Sequence, residues 1–217
     1  DLALAGFTAQ DNAIEEALGN LVGDGFNPDN LTEELGTRWE IMRNYFRLYA
    51  CCNPMHPALD MVKAAIEKLK PAPGDVERID VATYRFASVM RNPEPPNFFG
   101  SKYSLPHAAA VMLVRGHAGH SAIDDSALQD PVIAALRKRV HVTEDPAMSA
   151  VAPRLRPARV TLTLKDGRTT THECRSHRGD FNKPFAESEI RAKFHELAGE
   201  VLTADGCKKV EAAVERC

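Results

Sequence analysis

Aromatic side chains are scarce in this sequence: Phe, Trp and Tyr make up 6% of its 217 residues. A core built from it must rest on Ala, Leu, Val and Ile, and a 44% hydrophobic content is enough for one medium core or two small ones. A basic excess is missing too. The formal net charge is −3, Lys and Arg are scattered among Asp and Glu, and there is no basic stripe of the kind a nucleic-acid binder shows. No apolar run approaches the ~18 residues of a membrane span, and no secretory signal is expected from the opening residues. The five cysteines are odd in number and two of them, Cys51 and Cys52, are adjacent. That excludes a simple secreted disulfide framework and points to a reducing, cytoplasmic compartment. Internal repeats and low-complexity tracts are absent. So is an initiator Met: the chain opens in the apolar stretch Leu2-Ala3-Leu4-Ala5-Gly6-Phe7, which reads as the tail of a helix and leads us to expect a longer parent protein.

What is present is a series of local patterns. Ile14, Leu18, Leu21 and Val22 have helical spacing, and the breakers Gly23 to Pro28 follow. A second helix is predicted from Pro57 to Lys70, with Ala58, Leu59, Val62, Ala65, Ile66 and Leu69 on one stripe. Asp80 to Phe86 alternates as a strand should. Pro106 to Val114 is almost wholly apolar and predicts a helix buried on most sides, while Asp130-Pro131 caps and opens a helix over 132–139. Alternation on both sides of Asp166-Gly167 predicts a hairpin closed by a type I′ turn. Two helices end the chain, one presenting Ile190, Phe194, Leu197 and Val201, the other Cys207, Val210, Val214 and Cys217. The order predicts an α+β protein: an α/β domain over 43–185, inserted between residues 1–42 and 186–217 of an incomplete, mostly helical domain.

Several stretches, in order and spacing, resemble the MmgE/PrpD family. They are Leu4 to Thr8; Phe46 to Cys52 running on to His56-Pro57-Ala58-Leu59-Asp60; Tyr103 to Ala110; and Val160 to Gly167 followed by Gly179-Asp180 and Lys183-Pro184. The resemblance covers essentially the whole chain and matches it to the second half of the family's members. It implies a helical domain carrying a smaller α/β lid, a homodimer, no cofactor, and small di- or tricarboxylates as substrates. The family includes 2-methylcitrate dehydratase, cis-aconitate decarboxylase and iminodisuccinate epimerase, so lyase chemistry is expected first, with an epimerase, or a non-catalytic remnant, as alternatives.

The candidate catalytic residues are His56 and His107; the candidate substrate contacts are Arg47, Cys52 and Ser104. Arg47 offers a bidentate grip on a carboxylate beside a helix N-terminus. The family typically has lysine there and proline at Ala50, and a permanently charged guanidinium binds anions but transfers protons poorly. His56 falls where an N-cap belongs, a place better suited to Ser, Thr, Asp or Asn. The resemblance puts Cys52 and His107, the latter a tyrosine in many relatives, toward the substrate pocket. Ser104 falls near the N-cap of the Pro106 helix. Cys51 is expected to pack. No metal is expected: Cys52 with His56 gives one ligand pair, and His172 with Cys174 another, neither with a second pair nearby. His117 and His120 are expected to be solvated.

Overall fold

The computed structural model describes residues 1–216, apart from the side chain of Arg43. Cys217, assigned above to the last helical face, lies outside the described residues. The chain forms two compact units, 1–44 and 45–217.

In the first unit, Leu2 to Phe7 is a helical turn closed as a helix end. Gly6 has φ 84°, Gly6 N–H donates to Ala3 O and Phe7 N–H to Leu2 O, which is the Schellman pattern. The expected helix runs from Glu15 to Val22 but with π winding. Its apolar residues Leu18, Leu21 and Val22 are exposed, and among the described residues of this unit only Gly19 is buried. The described residues of this unit form no hydrophobic core.

The second unit contains, in chain order, α1 (His56–Leu69), β1 (Val76–Thr83), α2 (Arg85–Ser88), α3 (Phe98–Ser101), α4 (Leu105–Arg115), α5 (Asp125–Gln129), α6 (Pro131–Arg137), β2 (Val140–Glu144), α7 (Pro146–Ala150), β3 (Ala158–Leu164), β4 (Thr169–Cys174), α8 (Glu187–Ala198) and α9 (Ala204–Val214). The strands form one mixed sheet in the order β2-β1-β3-β4, with β1 parallel to β2 and antiparallel to β3. This is an α+β fold. Helices α1 and α4 pack on the sheet, and Leu59, Val62, Ala108, Met112, Ile79, Val160 and Leu162 meet in the interior. Among the described residues the main core holds no buried Phe, Tyr or Trp, in keeping with the aromatic-poor composition.

Local signals account for most element ends. Asp130 Oδ1 accepts from the N–H groups of Val132 (2.7 Å) and Ile133 (3.2 Å) and starts α6. Gly116, at φ 80°, ends α4. Two expectations need correction, and one strand is new. Strand β1 stops at Thr83, because its ladders to β2 and β3 end there and Arg85 enters a helical turn. The β3–β4 connection is not a type I′ turn. Only Gly167 has positive φ (89°), Gly167 N–H donates to Leu164 O and Leu164 N–H to Arg168 O, so Lys165-Asp166 form a type I turn with a glycine bulge. Strand β2 was not anticipated at all. Helices α8 and α9 are joined by Arg191 to Glu211 and Glu215, and α8 is tied to the α/β body by Arg178–Glu189 and Ser121–Glu196.

Candidate functional site

The loop before α1 is held by backbone bonds on both sides. Ala50 N–H donates to Ala118 O (2.9 Å) and Cys52 N–H to Lys102 O (2.8 Å). A 3₁₀ turn over Asn53–Met55 then runs directly into α1. His56 therefore does not cap the helix: its torsions are helical (φ −58°, ψ −40°), and the winding begins three residues earlier.

On one side of this loop lies a cavity of about 680 Å³, closed by the end of β1 with α2 and by the segment after α7. Its wall carries Arg47, Arg85 and Arg156 and no Asp or Glu. None of the three guanidinium groups has a carboxylate partner among the described residues. Arg47 donates to the Tyr45 hydroxyl (2.5 Å) and lies over that ring, 5.1 Å from its centroid; Arg156 approaches the same ring at 5.9 Å. Asn53 also lines the cavity, 7% exposed, and its Oδ1 is buried without a hydrogen-bond partner. Apolar surface from Pro54, Phe86, Val89 and Ala152 completes the wall. Three unneutralised cations around a partly apolar hollow attract an acid, and the orphaned amide oxygen can accept from a hydroxyl.

Proton transfer is less well provided on this wall. Burial pushes the Tyr84 hydroxyl up to about 12, with Arg156 opposing. Burial also raises the Cys52 thiol, against the pull of Arg47, so it is not an activated thiolate. Cys51 is buried with its thiol held well above the usual range by desolvation, consistent with packing.

Among the residues singled out from sequence, Arg47 and Cys52 share the cavity. His56 stands behind it, 2% exposed, with Nε2–H donating to Cys51 O at 3.1 Å and Tyr49 edge-on at 5.2 Å. Burial lowers its pKa to about 4, with the Cys51 bond working the other way. Ser104 and His107 line no part of the cavity. Ser104 is fully buried as the N-cap of α4, accepting from His107 N–H (3.1 Å) and donating to Asn92 O (2.6 Å). The His107 ring is fully buried against Arg137, whose Nη1 lies 3.4 Å from Nδ1; burial, then Arg137, lowers its pKa to about 4. The resemblance put His107 toward the same pocket as Cys52; here Ser104 and His107 are buried away from the cavity, and the loop is tied by Cys52 N–H to Lys102 O at the end of α3. Sequence reasoning missed Asn53, Arg85 and Arg156. Arg85 sat within the overextended strand, and nothing local distinguishes Arg156. No group of three or more His, Cys, Asp or Glu among the described residues is placed to hold a metal ion. His172 bonds Thr170, and Cys174 Sγ faces Pro57 O.

Comparison with known proteins identifies relatives by sequence. Residues 49–217 match the MmgE/PrpD C-terminal domain. A cis-aconitate decarboxylase of Aspergillus terreus (strain NIH 2624 / FGSC A1156) is 26% identical, aligned over 97% of this chain and 47% of its own length. A cis-aconitate decarboxylase-like protein of Aspergillus oryzae is 24% identical over 87% of this chain and 41% of its own length. The mouse cis-aconitate decarboxylase is 25% identical over 58% of this chain and 26% of its own length. The chain thus spans about half the length, or less, of the curated relatives it matches. The domain match covers most of the chain, which belongs to the MmgE/PrpD family.

Proposed function

We propose that this chain supplies the acid-binding side of a cofactor-free lyase acting on a small di- or tricarboxylate. The observation that carries the reading is the cavity walled by Arg47, Arg85 and Arg156 with no carboxylate on it. Removing water or carbon dioxide from such acids places negative charge on a carbon beside a carboxylate. Guanidinium groups already in position hold the substrate's carboxylates and offset the charge that develops. The names of the relatives, cis-aconitate decarboxylases, favour a tricarboxylic acid and a lyase. A homodimer, a cytoplasmic location and an α/β lid over 43–185 on a helical domain rest on the same family likeness and are part of the proposal.

A second reading has its own support. No group on the cavity wall transfers protons readily near neutral pH, so the same residues fit a chain that binds an acid without transforming it. Calorimetry with citrate tests the binding site. Arg47→Ala should weaken binding about tenfold, the loss of one charge-assisted contact at a partly solvated site, and Arg47→Lys should restore part of it. Unchanged affinity in Arg47→Ala removes Arg47 from the site. Incubation with cis-aconitate, 2-methylcitrate or iminodisuccinate, followed by NMR in deuterium oxide, separates the two readings. Loss of carbon dioxide or water supports the lyase, deuterium exchange alone an epimerase, and binding without either the non-catalytic reading.

A further inference from the structure

The arginine wall has a second layer. His177 follows β4, its side chain is 1% exposed, and neither Nδ1 nor Nε2 meets a protein donor or acceptor. An imidazole always has hydrogen-bonding capacity on both nitrogens. Burying such groups unpaired costs about 1–3 kcal/mol each, so their retention calls for a reason. The ring stands edge-on to Tyr45 at 5.4 Å and to His56 at 6.2 Å. Tyr45 in turn lies under the guanidinium groups of Arg47 and Arg156. The order from cavity to interior is arginine, tyrosine, histidine.

The charges around the ring are few and their commitments are visible. Burial disfavours a cationic imidazole most, and Arg156 and Arg47 add to it; Asp180 and Asp60 favour one. Neither carboxylate bonds the ring: Asp60 accepts from the Tyr49 hydroxyl (2.8 Å) and Arg178 N–H (2.9 Å), and Asp180 from Asn182 N–H. His56, the histidine beside it, has its Nε2–H engaged by Cys51 O. His177 thus has spare capacity on both nitrogens, and two of the cations that oppose its protonation belong to the cavity wall.

We propose that His177 is a ligand-linked proton acceptor: when a polycarboxylate occupies the cavity and neutralises Arg47 and Arg156, the His177 ring binds a proton more tightly and, near its midpoint, takes up a fraction of a proton from solvent. This rests on the carboxylate site proposed above. No bond other than the new N–H forms. By linkage, the proton strengthens acid binding as pH falls toward the His177 midpoint, and the added positive charge stands directly behind the wall that holds the anion.

The test is a pH titration of the His177 Cε1–H signal by NMR, without citrate and with saturating citrate. The signal is assigned by its loss in His177→Phe, which keeps the ring edges on Tyr45 and His56, or in His177→Gln if the first variant folds poorly. Calorimetry on the same samples records citrate binding. The expected result is a midpoint raised by about one unit in citrate, the size of effect that removing nearby like charge produces. Binding with an unchanged midpoint overturns the proposal and leaves the carboxylate site standing. Absence of citrate binding overturns both.

Discussion

Ser104 and His107 occupy adjacent turns of the same helix start, yet neither reaches the cavity. The Ser104 hydroxyl is committed twice, as acceptor for His107 N–H and as donor to Asn92 O. Replacing it with Ala should cost about 1–2 kcal/mol in urea unfolding, the loss of a cap and of the bond to Asn92 O, while citrate affinity stays unchanged. A drop in affinity at unchanged stability would return Ser104 to the binding site. Arg47, Arg85 and Arg156 behave oppositely. They lack carboxylate partners among the described residues, and the other residues on the cavity wall are neutral. A residue's chemistry was readable from its type; whether that chemistry is free for a ligand depended on its partners.

Among the elements, the β3–β4 hairpin shows how one dipeptide can allow two turns. Asp-Gly tolerates the positive φ of type I′, but the register pairs Thr163 with Thr169 and leaves a longer connection, so only Gly167 needs it. Gly167→Ala should destabilise the protein by about 1 kcal/mol. A Cβ there meets nothing within 4 Å, so the penalty is backbone strain alone. A shift in urea midpoint without change in its slope would show it; an unshifted midpoint would mean that the turn relaxes to another form. Strand β2 makes the complementary point. Its five residues join the sheet only because β1 offers a parallel partner from Ile79 to Thr83, and five residues carry too little pattern to announce this.

For the molecule as a whole, the buried histidines set the response to acid. His56 and His107 have midpoints near 4, against an ordinary value of 6.5, because burial disfavours their charged forms. His177 shifts the same way. Above pH 6.5 these rings are neutral in both folded and unfolded chains, and their contribution to stability is complete. As pH falls from 6.5 toward 4 the unfolded chain binds protons that the folded one refuses, so stability declines. Urea unfolding at pH 7.5 and pH 5 should differ by about 2 kcal/mol for each of His56 and His107. Over that interval most carboxylates stay ionised and add little. A flat profile would mean that the rings are not buried as described. No helix among the described residues is long and apolar enough to cross a membrane.

Helix periodicity, the Asp130 cap, the Gly6 helix end, the hairpin and the aromatic-poor core were all legible in the sequence, because each depends on residues a few positions apart or on composition alone. The order of elements gave the α+β class, and the family motifs pointed to one loop, whose Arg47 and Cys52 line the cavity. Asn53, Arg85 and Arg156 reach it from three separate segments, and His107 turns away from it toward Arg137. Those outcomes follow from which distant surfaces pack together and which polar groups find partners there, and only the tertiary structure decides that.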